Sequence, residues 1–164
     1  MSRPPNAAPI AVEDHHLDTL LILNNTHATE TSLLDRRQLA ALTAMAFLAA
    51  TDADLHSLLI AFDQDADYAS VNFHWFRQRY SRFVYVDRII VGAAARGTGI
   101  ARRHYQRLFA EAAADGHQIV VCEVNRVPPN AASDAFHQAL GFGLEGEGEP
   151  AAGKHVRYLI RRLK

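Results

Sequence analysis

One segment constrains the fold of this chain more than any other, because a strand pattern, a glycine loop, a helix pattern and a second strand pattern follow one another directly. The runs RFVYVDRIIV and HQIVVCEV both have the β-branched and aromatic content of buried strands. Between them a helix is predicted from Gly99 to Asp115, with Gly116 at its end. A helix that joins two such strands favours a parallel strand pair. The apolar stripe of this helix is Ile100, Tyr105, Leu108, Phe109 and Ala112.

The other patterns extend this unit into a mixed sheet flanked by helices. Residues 1–9 contain three prolines and no periodicity, so we expect a loose arm there. Asp35 and Asn130 are predicted to cap helices. In chain order the patterns predict a strand near 10–12, helices over 13–25 and 36–43, a hairpin of 44–51 and 55–63, one or two helical turns in NFHWFRQRY, a helix from 130 to 140, and strands near 142–147 and 155–161.

Length and composition favour one ordinary globular domain, residues 1–164, of the α/β (α+β) class. The formal net charge is −1, so no field of one sign is present to hold a nucleic acid or an anionic membrane. The longest nearly apolar run, residues 39–50, is too short to span a bilayer, and the start lacks the apolar core of a signal peptide. With a single cysteine, Cys122, these features predict a cytoplasmic protein. Cys122 lies within a strand pattern and is expected to be a buried structural thiol.

The nine histidines do not form a metal-binding pattern. No His-Glu-x-x-His and no Cys-x-x-Cys occurs, and the adjacent His15 and His16 would point apart on a helix. We therefore expect no metal site.

The loop between the first strand and the helix, VGAAARGTGIARRHY, contains two glycines and is compatible with phosphate binding. A P-loop is excluded because Gly-Lys-Ser/Thr is absent from the sequence, and the dinucleotide fingerprint would need glycine where Arg102 stands. Backbone N–H groups at a helix start attract an anion, and glycine at 97 and 99 leaves room for one. Arg96 adds a formal charge. These residues alone leave two interpretations open, an anion-binding loop and a plain tight turn.

Two motifs make the chain resemble the GNAT superfamily of N-acetyltransferases. VGAAARGTGIA resembles the family's acyl-CoA-binding motif Arg/Gln-x-x-Gly-x-Gly/Ala, with Arg96 first, Gly99 as its glycine and Ala101 last. PPNAASDAFHQALGF resembles the family's Asn-x-x-Ala-x-x-Leu-Tyr-x-x-x-Gly-Phe segment. The resemblance covers about Phe83 to Phe142. The matching places of the second motif are Asn130, Ser133, Phe136, Gly141 and Phe142.

This resemblance implies a mixed, mostly antiparallel central sheet with a splayed parallel strand pair, and acetyl-CoA as cosubstrate. The CoA pyrophosphate would sit on the N–H groups of residues 97–101, and the pantetheine arm would run beside the end of the first strand. Asn130 would bond the pantetheine. The implied CoA-binding residues are Ile89, Ile90, Val91, Arg96, Gly97, Thr98, Gly99, Ile100, Ala101, Arg102, Asn130 and Ser133.

The implied chemistry is direct attack of an amine on acetyl-CoA, which benefits from a base for the amine and an acid for the departing thiolate. Glu123 matches the glutamate of ribosomal-protein acetyltransferases in this superfamily, although it could instead be a carboxylate at the strand end that bonds Asn125 or Arg126. Asp87 is the rival base, although Arg88 could simply pair with it. His137 stands where the family has a tyrosine acid, and it is either the acid or a polar residue on the helix surface.

No residue pattern selects one acceptor. The aromatic cluster of NFHWFRQRY is expected to form core or the wall of an acceptor pocket, and residues 24–34 lie where the superfamily shapes its acceptor site. The resemblance favours an acetyl-CoA-dependent N-acetyltransferase acting on a primary amine of a small molecule, amino acid or peptide, with a homodimer left open and no nucleic-acid or membrane partner. A non-catalytic CoA-binding sensor is the alternative, because the usual tyrosine is missing. The aromatic cluster is Phe73, Trp75, Phe76 and Tyr80.

Overall fold

The computed structural model of the chain describes residues 7–29, 31–127 and 129–164. The predicted N-terminal arm lies outside the described residues over positions 1–6. Within the described ranges the chain forms five α-helices and seven strands. The helices are α1 (Leu17–Thr26), α2 (Arg36–Met45), α3 (Val71–Arg77), α4 (Ile100–Ala114) and α5 (Ala131–Ala139). The strands are β1 (Ile10–Ala11), β2 (Leu48–Thr51), β3 (Ser57–Asp63), β4 (Val84–Val91), β5 (Ile119–Val127), β6 (Gly143–Ala151) and β7 (Lys154–Arg162).

The strands follow one another in the order β1-β2-β3-β4-β5-β7-β6. The pairs β1–β2, β2–β3, β5–β7 and β6–β7 are antiparallel. β4 and β5 are parallel, with Val84 opposite Val120 and Tyr85 opposite Val121. The predicted mixed, mostly antiparallel α/β sheet with a parallel pair is therefore confirmed. The chain between the parallel strands contains α4, as a crossover connection requires.

The chain divides into two compact units, of which unit 1 comprises Met1–Phe62 and Val86–Glu111. The predicted apolar stripe of α4 belongs largely to this unit, and Tyr105 and Leu108 are fully buried there. The expectation of a single domain stays a prediction. The core of unit 1 includes Leu20, Leu39, Leu58, Ile60, Tyr105 and Leu108.

Unit 2 comprises Asp63–Tyr85 and Ala112–Lys164, and its core is rich in aromatic side chains. Phe73 and Phe76 of α3 are fully buried, so these two members of the aromatic cluster are core residues. The ring of Phe73 lies 5.5 Å from that of Phe83, measured between centroids. Trp75 and Tyr80 are only half-buried.

Side-chain caps fix the starts of α2 and α5 where the sequence predicts them. The Asp35 carboxylate accepts the N–H of Gln38 at 2.7 Å, and the Gln38 side chain accepts the N–H of Asp35 at 2.9 Å. The Asn130 side chain accepts the N–H of Ser133 at 3.2 Å. Both caps satisfy helix N–H groups that have no intrahelical partner.

Several predicted element boundaries are wrong. The first α-helix begins only at Leu17, after a 3-10 turn over Asp14–His16, and β3 begins at Ser57 instead of residue 55. Ala44 and Met45 were expected in a strand, but they belong to α2, because both are good helix formers and strand pairing begins only at Leu48. The strand predicted to end at residue 147 continues as β6 to Ala151. Pro150 is tolerated within it because β6 is the last strand in the sheet order, where one backbone edge needs no partner.

Candidate active site

The glycine loop leaves β4 at Val91 and enters α4 at Ile100. A short 3-10 turn, Ala93–Ala95, comes first, and the exposed residues 96–99 then lead into the helix. The first N–H groups of α4 have no acceptor within the helix and lie at the positive end of its dipole. The loop therefore presents backbone donors at the position where the family resemblance implies the CoA pyrophosphate.

The two glycines of this loop leave the space beside its backbone open. Gly97 and Gly99 have φ angles of 75° and 79°, which residues with a side chain rarely adopt. A Cβ atom at Gly97 would meet no atom within 4 Å, and one at Gly99 would meet only Nη1 of Arg103, at 3.2 Å. The residues present thus fit a phosphate-bearing group such as that of CoA, because among the described residues only the end of the Arg103 side chain approaches the space beside the two glycines.

Three arginines lie in or beside the loop, and they have different roles. Arg96 and Arg102 are exposed, as a contact to a solvent-accessible phosphate would require. Arg103 instead donates from Nη1 to the backbone oxygen of Thr98 at 2.9 Å. Arg103, which the sequence motif does not single out, therefore braces the loop from the first turn of α4.

The end of β4 also depends on a glycine that the motif does not contain. Along this strand Ile90 is buried, while Ile89 and Val91 are half-buried. The N–H of Gly92 donates to the backbone oxygen of His56 at 2.7 Å, and a Cβ at Gly92 would approach that oxygen at 3.1 Å. Glycine is needed here because the backbone before β3 passes so close.

Glu123, the predicted base, lies on β5 in a cluster of polar side chains within unit 2. Its Oε1 atom accepts the Tyr85 hydroxyl at 2.9 Å and the side-chain amide of Asn72 at 3.1 Å. The Oδ1 atom of Asn72 in turn accepts the Tyr158 hydroxyl at 2.9 Å. These two donors offset part of the cost of placing a carboxylate in an apolar strand. Asn72 is not among the predicted site residues, because its only signal in the sequence is a polar residue beside the buried aromatic positions of α3.

Asp87, the rival base, forms a buried ion pair with its chain neighbour. Its Oδ2 atom lies 2.7 Å from Nε of Arg88, and the two side chains are 6% and 4% exposed. Arg88 also donates from Nη1 to Oδ1 of Asn24 at 2.7 Å. The carboxylate therefore helps to neutralise a buried guanidinium, and Arg88 ties β4 to the end of α1.

His137 is buried. The sequence predicted either the acid or a polar residue on the helix surface, and the burial of the side chain excludes the second alternative. It is 5% exposed and lies on the same face of α5 as the buried Leu140. Its Nδ1–H donates to the backbone oxygen of Ser133 at 2.7 Å. Burial lowers the pKa of His137, and the opposing effects of the Ser133 carbonyl and of Asp134 are smaller.

A second buried histidine, which sequence analysis did not single out, lies on α4. His104 is fully buried, and its Nε2 lies 2.9 Å from Oγ of Ser57. The Ser57 hydroxyl donates to Oδ1 of Asp52 at 2.6 Å, so Nε2 must carry the proton that Ser57 accepts. Nδ1 is buried without a hydrogen-bond partner in the part of the chain that the structure describes. Burial lowers the pKa of His104 to about 4.

Cys122 is buried, as predicted. Its burial raises the pKa of the thiol well above the ordinary value, and the charge of Glu123 adds to this effect. The neutral thiol is a poor nucleophile, which fits a structural residue.

Two groups of described residues could hold a metal ion by their geometry, because their side-chain oxygen and nitrogen ligand atoms lie within 4.8 Å of one another. In one of them Asp52 already accepts the N–H groups of Asp54 and His56 and the Ser57 hydroxyl, so the turn itself engages this carboxylate. The expectation of no metal stays a prediction. The two groups are Glu13, His15 and His16, and Asp52, Asp54 and His56.

Among the described residues, no helix combines the length and apolarity needed to cross a membrane.

Comparison with known proteins adds three kinds of similarity. Residues 23–142 match the sequence model of the acetyltransferase (GNAT) family. Over 88 residues the chain is 28% identical to L-2,4-diaminobutyric acid acetyltransferase from Wolinella succinogenes, a match that covers 54% of this chain and 51% of that protein. The chain thus spans about half the length of this curated relative.

Solved structures with low sequence identity share the fold. The yncA protein of Salmonella typhimurium, solved with its cofactor acetyl-CoA, superposes with a TM-score of 0.71 at 16% identity, over 97% of this chain and 95% of that one. The ribosomal-protein-S18-alanine N-acetyltransferase of Escherichia coli gives 0.70 at 14% identity, over 95% and 93%. The phosphinothricin acetyltransferase of Sinorhizobium meliloti, in complex with acetyl-CoA, gives 0.70 at 16% identity, over 96% and 88%.

Proposed function

The chain belongs to the GNAT family of acetyltransferases, and we propose that this acyltransferase moves the acetyl group of acetyl-CoA to a primary amine of a small molecule, an amino acid or a peptide. The observation that carries the proposal is the open glycine loop at the start of α4. A phosphate needs backbone N–H donors, a compensating charge and free space. The first turn of α4, Arg96 and Gly97 supply these three requirements.

Primary amines are the proposed acceptor class because related proteins are named for them. Diaminobutyric acid and the alanine of a ribosomal protein both offer an amino group as the nucleophile. Within this chain, the buried Arg88 fixes Asn24 in the last turn of α1, and so holds the start of residues 24–34, which lead from α1 toward α2. We propose that this segment contributes to acceptor selection.

Glu123 is the proposed base. An amine attacks only through its neutral form, so the extra proton of the ammonium group must be removed before the new carbon–nitrogen bond forms. A carboxylate can accept this proton, while the bond from carbon to the CoA sulfur breaks and the thiolate leaves with the electron pair. Asp87 suits this role less well, because losing its charge would leave the buried Arg88 without its anionic partner.

His137 contributes less to proton transfer in this proposal than the family pattern implies. With Nδ1–H bonded to Ser133 and a pKa lowered by burial, the imidazole is neutral at neutral pH and its Nε2 has a lone pair instead of a proton. A neutral imidazole in this tautomer cannot protonate a thiolate through Nε2. The CoA thiolate then leaves as such and is protonated by water.

Two measurements on one protein preparation test the proposal. We expect acetyl-CoA to raise the melting temperature, and acetyl-CoA with a panel of amines, amino acids and peptides to release free thiol. Stabilisation without thiol release over the whole panel would instead support the CoA-binding sensor. The absence of both stabilisation and thiol release would contradict both functions.

A further inference from the structure

We propose that Asn72 and Tyr158 are positioning residues for the reaction, because they hold the carboxylate of Glu123 in its charged and oriented state. The inference rests on the proposed role of Glu123 as the base. It adds two residues that lie outside both sequence motifs, on α3 and on β7. All the contacts that carry it lie within unit 2.

The first step of the argument is the pair of donors on one oxygen atom. Tyr85 and Asn72 both donate to Oε1 of Glu123, at 2.9 Å and 3.1 Å. Hydrogen bonds to a carboxylate favour its charged form and so lower its pKa. They also restrict the side chain to one rotamer, which matters for a base that must meet its proton at hydrogen-bond distance.

The second step is the orientation of the Asn72 amide. An amide presents either donors or an acceptor, and Glu123 as a carboxylate can only accept, so the NH₂ group must face Glu123. The Oδ1 atom then faces the Tyr158 hydroxyl, which donates to it at 2.9 Å. Tyr158 therefore satisfies the amide oxygen in the orientation that serves Glu123. A flipped amide would place two acceptors against each other.

The third step is what holds Tyr158. Its ring stacks on that of Trp75 with the centroids 4.1 Å apart and an interplanar angle of 18°. Two glycines of β6 make this stack fit, since a Cβ at Gly148 would lie 2.7 Å from the Tyr158 ring and one at Gly146 would lie 2.6 Å from the Trp75 ring. The position of the hydroxyl is thus set by packing that extends to the edge strand.

The titratable side chains of Tyr158, Cys122 and Tyr85 lie beside the Glu123 carboxylate or next to it in the chain. Burial, with a contribution from Glu123, raises the pKa of Tyr158 on β7. The same two effects raise the pKa of the Cys122 thiol, on β5 beside Glu123. Tyr85 on β4 donates its hydroxyl proton to the carboxylate. Tyr158 and Cys122 are therefore neutral at neutral pH, and Tyr85 meets the carboxylate as a hydroxyl donor.

The test is a titration of the Glu123 carboxyl by carbon-13 NMR, with the signal assigned by its absence in Glu123→Gln. We expect Asn72→Ala to raise its pKa by about 1 unit, the effect of one lost hydrogen bond to a charged group. Tyr158→Phe keeps the ring stack and should give a smaller rise. Because Tyr158 acts through Asn72, the double variant should shift no further than Asn72→Ala alone. Tyr80→Phe, whose hydroxyl bonds Glu145 instead, is the control and should leave the titration unchanged.

The acidic limb of the kcat/KM profile should move by the same amounts, with little change in the KM for acetyl-CoA. An unchanged Glu123 titration in Asn72→Ala, or shifts of the two variants that add fully, would overturn the inference. If Asn72→Ala does not fold, Tyr158→Phe alone decides, and an unchanged titration there overturns it. Full turnover in Glu123→Gln would instead refute the role of Glu123 as the base. The NMR titration would still show whether Asn72 and Tyr158 lower the pKa of its carboxyl group.

Discussion

At the scale of single residues, Gly97 matters most for the proposed binding of acetyl-CoA, because the open space beside it favours a ligand at the loop. The chain contains a matched control in Gly153, at the turn between β6 and β7. The φ angles are 75° and 76°, and a Cβ at either glycine would meet no atom within 4 Å. Alanine should therefore cost both sites a similar stability, about 1–2 kcal/mol for the left-handed backbone.

We expect Gly97→Ala to weaken acetyl-CoA binding about tenfold or more, because the new methyl group occupies the approach to the loop N–H groups. Gly153→Ala should bind acetyl-CoA as the wild type does. Isothermal titration calorimetry on both variants measures this. Equal affinities in the two folded variants would remove the evidence that the loop binds the cosubstrate.

The two carboxylates can be separated by isosteric substitution. We expect Glu123→Gln to lower turnover by roughly 10²- to 10⁴-fold, as for a lost general base, with acetyl-CoA affinity retained. Asp87→Asn should mainly reduce stability, since it leaves the buried Arg88 without a counter-charge. Steady-state kinetics and thermal melts on both variants compare them. Retained turnover in Glu123→Gln with a loss in a stable Asp87→Asn would identify Asp87 as the base.

His137→Phe tests the departure from the family motif. Since burial lowers the pKa of His137, the neutral ring supplies no proton at neutral pH, and we expect a loss of turnover well below the roughly 10²- to 10⁴-fold of a general acid. The alkaline limb of the rate profile should stay in place. A large loss in a folded variant, together with a displaced alkaline limb, would restore His137 as the acid.

At the scale of elements, α4 does more than present the loop, because it brings a buried histidine into unit 1. The pKa of His104 is lowered from 6.5 to about 4, so the native protein binds fewer protons here than the unfolded chain between these values. Its contribution to stability is complete above pH 6.5 and is lost as the pH falls toward 4. The loss amounts to about 3 kcal/mol, from about 2.5 units of pKa difference.

Urea unfolding at a series of pH values measures this linkage. His104→Gln keeps a donor near Ser57 without a titrating group, so the free energy of unfolding should fall less between pH 6.5 and 4 than in the wild type. His74→Gln, at an exposed histidine of α3, is the control and should follow the wild type. Parallel curves for wild type and His104→Gln would contradict a neutral buried imidazole.

Local signals explain which elements the sequence could predict. The caps at Asp35 and Asn130 and the stripe of α4 were predictable because they depend on neighbours within one or two helical turns. Asn72 was not, because its partner Glu123 lies 51 residues away and no local pattern marks the pair. The burial of His137 was not predictable for a related reason. A polar residue in a helical pattern does not indicate whether another part of the chain packs against it.

At the scale of the whole molecule, the fold persists where sequence identity does not. TM-scores near 0.7 accompany identities of 14–16% with three acetyltransferase-fold structures, two of which contain acetyl-CoA. The family resemblance implied a mostly antiparallel sheet with a parallel pair, whereas the residues alone predicted only a parallel pair in a mixed sheet. Neither predicted the order of the strands within the sheet. The acceptor is set by side chains from several elements, so neither the motifs nor the fold selects it.

The most direct test of the central claim follows a labelled acetyl group from donor to product. Acetyl-CoA with a carbon-13 acetyl group is incubated with the full chain and a panel of primary amines that includes L-2,4-diaminobutyrate and an alanine-initiated peptide, and the label is followed by NMR. The account predicts transfer of the label to an amine nitrogen in the wild type and a much slower transfer in Glu123→Gln. Label that remains on CoA with every amine, while acetyl-CoA is bound, would contradict it.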